Sequence, residues 1–172
     1  METGMFRGPD GKFQILFICT GNLCRSSFGA ELLKSRLSDE IRRKLRVVSA
    51  GTHALEGLPA TLQGQAASSS RGVDLSRHRS QPLTPWLIEH SDLILVMEPR
   101  HREAVLRTDP GAAGRTHLLM AYGREADHAD AGRSVEDPYS GGEEVYGRVY
   151  REMEREIDRI IPVIEKAVQR VG

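Results

Sequence analysis

Cysteine is nearly missing from this chain, which has only Cys19 and Cys24 among 172 residues. Two thiols are too few for a disulfide framework, and their spacing is not the Cys-x-x-Cys of a thioredoxin-type pair. No His or Cys lies near enough to either to complete a zinc pattern, so neither a metal nor a cofactor is expected. An excess of one charge is missing too, because 24 Lys and Arg balance 24 Asp and Glu. That removes the electrostatic footprint of a nucleic-acid binder, although positive potential confined to one site is compatible with neutrality. No apolar run approaches the roughly 20 residues of a membrane-spanning helix. Met1 to Lys12 is polar and Gly-rich, without the apolar stretch of a signal peptide, and reads as a flexible tail. These absences describe a cytoplasmic protein with reduced thiols and with neither nucleic acid nor membrane as partner. Residues 13–172 suffice for one domain with one sizeable core, and no repeat or linker divides them.

What is present is an alternation of apolar runs with helical patterns, which predicts an α/β fold around a parallel sheet. Phe13 to Ile18 reads as the first strand and Ser27 to Leu37 as the helix after it, with Phe28, Leu32, Leu33 and Leu37 facing inward. Arg46 to Ala50 is the second strand. Pro59 to Arg71 fits a helix with proline in its first turn and Gly72 past its end. Leu93 to Met97 is continuously apolar, as in a strand covered on both faces. Pro99 opens a helix closed by Pro110 and Gly111, and Thr116 to Met120 is a fourth strand. Tyr122 to Gly142 reads as a long surface loop. From Glu143 onward, Val145, Val149, Met153, Ile157, Ile160, Ile164 and Val168 recur on one helical face, which Pro162 should bend or divide.

The chemistry concentrates between the first strand and the first helix, in Cys19-Thr20-Gly21-Asn22-Leu23-Cys24-Arg25-Ser26. A loop running into a helix N-terminus presents free N–H groups and the positive end of the helix dipole, which suit a phosphate. Gly21 is expected to supply backbone freedom for those N–H groups to converge. Arg25 offers a rigid fork that fits two phosphate oxygens. The same field favours the thiolate of a cysteine at the strand end, which makes Cys19 a nucleophile, with Ser26 placed to hydrogen-bond its sulfur. Asn22 is expected to hold the loop through side-chain bonds to backbone. By itself a cysteine at a strand end is a small buried hydrophobe, but open α/β sheets bind ligands at this end of their strands.

Expelling a phenolate, whose conjugate acid has a pKa of about 10, calls for a general acid. Asp137, in Asp137-Pro138-Tyr139, is the candidate. Pro138 holds it in extended backbone, Glu136 is a like charge that would favour its protonated form, and Tyr139 is placed to stack on a substrate ring. An Asp-Pro pair alone is a common turn. Elsewhere, His53, near the expected rim of the site, reads as a solvated loop residue with substrate contact as the alternative. Trp86 reads as a core or half-buried anchor, and Arg100, Arg102 and Arg107 as a solvated helix face rather than a docking patch. Cys24 reads either as packing or as a redox partner of Cys19.

Cys-x4-Cys-Arg-Ser after the first strand, Ser49-Ala50-Gly51-Thr52 after the second and Asp137-Pro138-Tyr139 before the last helix resemble the low-molecular-weight protein tyrosine phosphatases across nearly the whole domain. The resemblance implies a four-stranded parallel sheet with helices on both faces. It implies hydrolysis of phosphotyrosine through a cysteinyl-phosphate on Cys19, with Arg25 clamping phosphate and Asp137 acting as acid and then base. Thr20, Gly21, Asn22, Leu23, Cys24 and Ser26 would surround the phosphate, Leu55 and Tyr139 would line the wall, and Asn22, Ser26, Ser49 and His78 would form a supporting network. Phosphotyrosine-containing proteins are the implied partners, a bacterial tyrosine kinase among them, with the enzyme a monomer or weak dimer. Two positions depart from the family: Ser27 replaces a common proline, and Leu55 stands where many members carry an aromatic. A protein-arginine phosphatase on the same scaffold is the rival reading; that group, by resemblance, has Thr where this chain has Leu23. A thioredoxin-linked arsenate reductase needs cysteines beyond Cys24, and a silent phospho-binding module would not need Cys19, Arg25 and Asp137 together.

Overall fold

Seven consecutive buried residues, Phe13–Cys19, form β1, and their burial on both sides follows from their place inside a sheet. In the computed structural model, which describes residues 6–170, four parallel strands lie in the order β2-β1-β3-β4. The other three are β2 (Leu45–Gly51), β3 (Leu93–Val96) and β4 (Thr116–Leu118). Cys19 pairs with Gly51 on one side of β1, and Ile18 pairs with Val96 on the other. Alternate residues of β1 serve two cores. Phe13, Ile15 and Phe17 join the larger one, and Leu16 and Ile18 join a smaller one with Ile94, Val96, Ile88 and Val105. Each such side chain, fully buried, stabilises the fold by about 1.5–3 kcal/mol.

The helices are α1 (Arg25–Arg36), α2 (Asp39–Lys44), α3 (Leu62–Ser69), α4 (Pro85–Glu89), α5 (Pro99–Thr108) and α6 (Glu143–Gln169). The larger core is closed by α1 through Phe28, Leu32 and Leu33 and by α6 through Met153, Ile157, Ile160 and Ile164. Phe28 stacks flat on Tyr150 with ring centroids 3.9 Å apart, which joins the two helices. The chain leaves β1 for β2 on one side and returns to β3 on the other. The strand order therefore reverses beside the C-terminal end of β1, and the crevice of a doubly wound sheet opens at such a point.

Several boundaries differ from the sequence reading. Helix α3 begins at Leu62 rather than Pro59, because the Thr61 hydroxyl accepts from the Gly64 N–H at 3.0 Å and fixes the start there. Gly72, with φ of 74°, follows that helix as expected. Helix α2 was not expected; Ser38 caps it, but its six residues are too few to show a period. Helix α4 escaped the reading for the same reason, with Thr84 as its cap and Pro85 in its first turn. Strand β4 stops at Leu118, and α1 starts two residues early, inside the loop. Pro162 does not divide α6, which runs unbroken to Gln169.

The expected tail, residues 1–12, lies partly outside the described residues. Its described part is tied to the body: Phe6 packs edge-on against Phe13, and the Arg7 N–H donates to Asp92. No helix among the described residues is long and apolar enough to cross a membrane.

Candidate active site

The phosphate-loop candidate turns sharply between β1 and α1, and the residue that takes the left-handed conformation is Asn22, with φ of 57°. This corrects the role expected of Gly21, whose φ is not positive and where an added Cβ would meet only the Leu23 side chain, at 3.7 Å. Asn tolerates this region better than other residues with a Cβ. Here its side chain is saturated: Nδ2 donates to Ser26 Oγ at 2.8 Å and to Ser49 Oγ at 2.9 Å, while Oδ1 accepts from the Gln81 N–H at 3.0 Å. His78 Nε2 donates to the Asn22 carbonyl at 2.6 Å. Burial lowers the pKa of His78, which keeps the ring neutral and suited to that single bond. Glycine is needed instead at Gly51, on the neighbouring strand, where a Cβ would lie 2.5 Å from the Thr20 carbonyl.

Those bonds decide what reaches the sulfur. Ser26 Oγ accepts from Asn22 and keeps its own proton to donate, with Cys19 Sγ at 3.0 Å the nearer acceptor and the Ala50 carbonyl at 3.4 Å the farther one. The Asn22 N–H donates to the same sulfur at 3.2 Å. Cys19 is 2% exposed, at the floor of a pocket of about 310 Å3. Two hydrogen-bond donors thus face one buried sulfur. Cys24 differs. Burial, and next the charge of Cys19, pushes its thiol up to about 12, and its carbonyl accepts from Tyr150 Oη at 2.9 Å. Ser27 donates its hydroxyl to the Cys24 carbonyl at 3.2 Å.

Arg25 is 1% exposed, and one edge of its guanidinium is anchored. Nη1 donates to Glu98 Oε2 and to the Val135 carbonyl, both at 2.8 Å. Nη2 lies 3.5 Å from Asp137 Oδ2, and Nε has no hydrogen-bond partner among the described residues. A buried donor without a partner costs about 1–3 kcal/mol. Arg25 lines the pocket together with Cys19 and Asp137, and the side of its fork away from Glu98 has only the ion-pair contact to Asp137.

The loop carrying Asp137 hangs from the sheet. The Val135 N–H donates to the Met97 carbonyl at 2.9 Å, just past β3, and the buried Pro138 stiffens the turn. The Tyr139 N–H donates to Asp137 Oδ1 at 3.1 Å. Glu136 does not act as the expected like-charge neighbour, because Arg148 of α6 grips both of its oxygens, at 2.5 and 3.2 Å. Leu55 and Tyr139, largely exposed, give the mouth its apolar wall, together with Leu23 and Leu58.

Of the residues singled out from sequence, Cys19, Thr20, Gly21, Leu23, Cys24, Arg25, Leu55, Asp137 and Tyr139 line this pocket, while Asn22, Ser26, Ser49 and His78 are joined by hydrogen bonds beneath it. His53, expected near the rim, is exposed and borders the mouth. Trp86 is exposed and stacks on His90. The arginine run is not simply a solvated face: Arg100 reaches Glu98 and Thr20, and Arg102 Nε donates to the Thr116 carbonyl at 3.1 Å. Glu98, His101 and Gln81 were missed. For Glu98 a signal existed, an acidic residue at the C-terminal end of an apolar strand run, Leu93 to Met97, and before a helix-opening proline.

A family model described as low molecular weight phosphotyrosine protein phosphatase matches residues 14–170. The chain is 36% identical over 133 residues to the probable low molecular weight protein-tyrosine-phosphatase AmsI of Erwinia amylovora, covering 77% of this chain and 87% of that protein. Among solved structures, it is similar to the YwlE arginine phosphatase of Geobacillus stearothermophilus, with a TM-score of 0.78, 29% identity and 90% and 94% of the two chains covered. It is also similar to Vibrio vulnificus Wzb in complex with benzylphosphonate, with a TM-score of 0.73, 30% identity and 86% and 95% covered. A strand-end thiol held by two donors, an anchored guanidinium and a facing carboxylate thus sit on the scaffold these proteins share, and the chain belongs to the low molecular weight phosphotyrosine protein phosphatase family.

Proposed function

We propose that this protein is a protein-tyrosine phosphatase that works through a phosphocysteine. The observation that carries the reading is the convergence of Cys19, Arg25 and Asp137 in one pocket with an apolar mouth. Cys19 attacks phosphorus as the bond to the tyrosine oxygen breaks, and Asp137 gives that oxygen its proton. Water then attacks the phosphocysteine, Asp137 takes a proton from it, and inorganic phosphate and the thiolate are released. Arg25 binds the equatorial oxygens in both steps, a contribution that for a comparable donor is worth about 10²–10³ in rate. Leu55, Leu58 and Tyr139 cover the flat faces of an aromatic side chain. Its partners are phosphotyrosine proteins of the cytoplasm, bacterial tyrosine kinases among them.

Protein-arginine phosphatase activity is the second reading, favoured by the likeness to the YwlE structure. Against it stands Leu23 on the pocket wall, which offers no hydrogen bond to a guanidinium. Parallel turnover of phosphotyrosine and phosphoarginine peptides by wild type and Cys19→Ser separates the two. Preferred release from phosphotyrosine, abolished in the variant, is expected; faster release from phosphoarginine would overturn the assignment.

A further inference from the structure

We infer that the Thr20 side-chain hydroxyl is a hydrogen-bond donor to a phosphoryl oxygen of the substrate, aimed by His101 and Arg100. The inference rests on the phosphatase reading for the identity of the ligand, and on hydrogen-bond arithmetic for the direction of the proton.

That arithmetic begins at His101, which is buried at the third position of α5. Its Nδ1 accepts from the Glu98 N–H at 3.1 Å, so the ring proton resides on Nε2. Nε2 lies 2.9 Å from Thr20 Oγ1 and donates to it. The assignment requires a neutral ring, and burial, followed by the charge of Arg25, pushes the pKa of His101 down to about 4. Arg100 Nη2 donates to the same Thr20 oxygen at 3.2 Å. A hydroxyl has two lone pairs and one proton. With both lone pairs facing N–H donors, the proton has to point away from His101 and Arg100.

Thr20 follows the nucleophile directly and lines the pocket with Cys19, Arg25 and Asp137. Among the described residues, its side-chain hydrogen-bond partners are the two donors just named; neither Glu98 nor Asp137 accepts from it. A phosphoryl group brings the missing acceptor. Glu98 Oε2 links the arrangement to the phosphate clamp, because it accepts from Arg100 Nη2 at 2.9 Å and from Arg25 Nη1 at 2.8 Å. Thr20 is then a substrate-contacting residue, and His101 is a positioning residue that acts through it.

The test uses Thr20→Val, which keeps the shape and deletes the hydroxyl, and Thr20→Ser, which restores the hydroxyl. Inorganic phosphate is the probe, titrated calorimetrically, and para-nitrophenyl phosphate is the substrate. Loss of a hydrogen bond to a charged group predicts that Thr20→Val weakens phosphate binding about tenfold or more, with kcat/KM falling alike. Thr20→Ser recovers most of the loss, and Tm stays within a few degrees throughout. His101→Phe is then combined with Thr20→Val: its cost in kcat/KM should largely vanish in the Thr20→Val background, a coupling that a purely structural histidine would not show. If His101→Phe fails to fold, the exposed Arg100→Ala reads the same coupling. Wild-type phosphate affinity in Thr20→Val overturns the inference, and an undiminished His101→Phe cost in the double variant overturns the role of His101. Phosphate binding is read without turnover, so a protein that binds phosphate through Thr20 yet hydrolyses nothing would defeat the phosphatase reading and leave this one standing.

Discussion

Removing Glu98 tests what aims Arg25, the proposed phosphate clamp. Glu98 Oε2 and Arg25 Nη1 are 2.8 Å apart, with the arginine side chain 1% exposed and the glutamate 21%. At that distance the gross attraction is about 6 kcal/mol for an effective dielectric constant near 20. Desolvation of both groups offsets most of it. Truncating one partner of a buried pair costs about 3–5 kcal/mol because the other charge stays behind. Here the glutamate is partly wetted, so water can enter, and the Val135 carbonyl still holds Nη1. The expected loss for Glu98→Ala is therefore lower, about 2–3 kcal/mol, or a fall in Tm of about 5–10 °C for a domain of this size. Glu98→Gln keeps an acceptor without the charge and should lose about half as much. Catalysis should suffer independently of stability: with the fork free to swing, kcat/KM on an aryl phosphate is expected to fall about 10–100-fold at a temperature where both proteins are folded. Thermal unfolding followed by circular dichroism, together with steady-state kinetics at 20 °C below the variant's Tm, measures both. Unchanged Tm and unchanged kcat/KM in Glu98→Ala would show that the Val135 carbonyl alone aims Arg25.

Asp137→Asn should lose about 10²–10⁴ in kcat with tyrosine phosphate but far less in the burst phase with a dinitrophenyl phosphate, whose leaving group needs no proton; equal losses would leave Asp137 a loop-shaping residue. Burial holds the Cys24 thiol up near 12, so iodoacetamide at pH 6–7 should alkylate Cys19 with loss of activity and leave Cys24 unmodified; peptide mass spectrometry showing label on Cys24 first would contradict this. His101, held down to about 4, binds a proton less readily folded than unfolded, so its contribution is complete above about pH 6.5 and is lost as pH falls through its folded value. The carboxyl of Glu98 works in the same direction at lower pH: burial raises it, but hydrogen bonds from Arg100 and Arg25 outweigh burial and depress it. Tm should accordingly be flat near pH 7–8 and fall toward pH 4, less steeply in His101→Gln; parallel curves for the two proteins would refute the assignment.

The residues proposed as nucleophile, clamp and acid stand out in the sequence, because each is a reactive residue type beside a secondary-structure boundary. Cys19 ends an uninterrupted apolar strand, Arg25 opens the following helix, and Asp137 precedes a proline. The parallel sheet was readable for a related reason. Residues buried on both faces leave continuous apolar runs, such as Leu93 to Val96, that no amphipathic surface element would show. The long apolar period of α6 likewise outweighed the proline inside it.

Tertiary structure decided everything that depends on who stands beside whom. The left-handed turn fell to Asn22 rather than Gly21 because Ser26, Ser49 and Gln81, brought together from three segments, saturate its side chain. Glycine was required at Gly51 because the neighbouring strand runs within contact of the loop backbone, a proximity that sheet order creates. Glu136 was drawn away from Asp137 by Arg148, an arginine twelve residues further along the chain, in α6. Glu98 and His101 came to the site because β3 lies next to β1, so the end of one strand supplies the counter-charge for the clamp at the end of the other. Local sequence determines which groups can react; the pairing of strands determines which charges and hydrogen bonds they meet, and so how they are aimed.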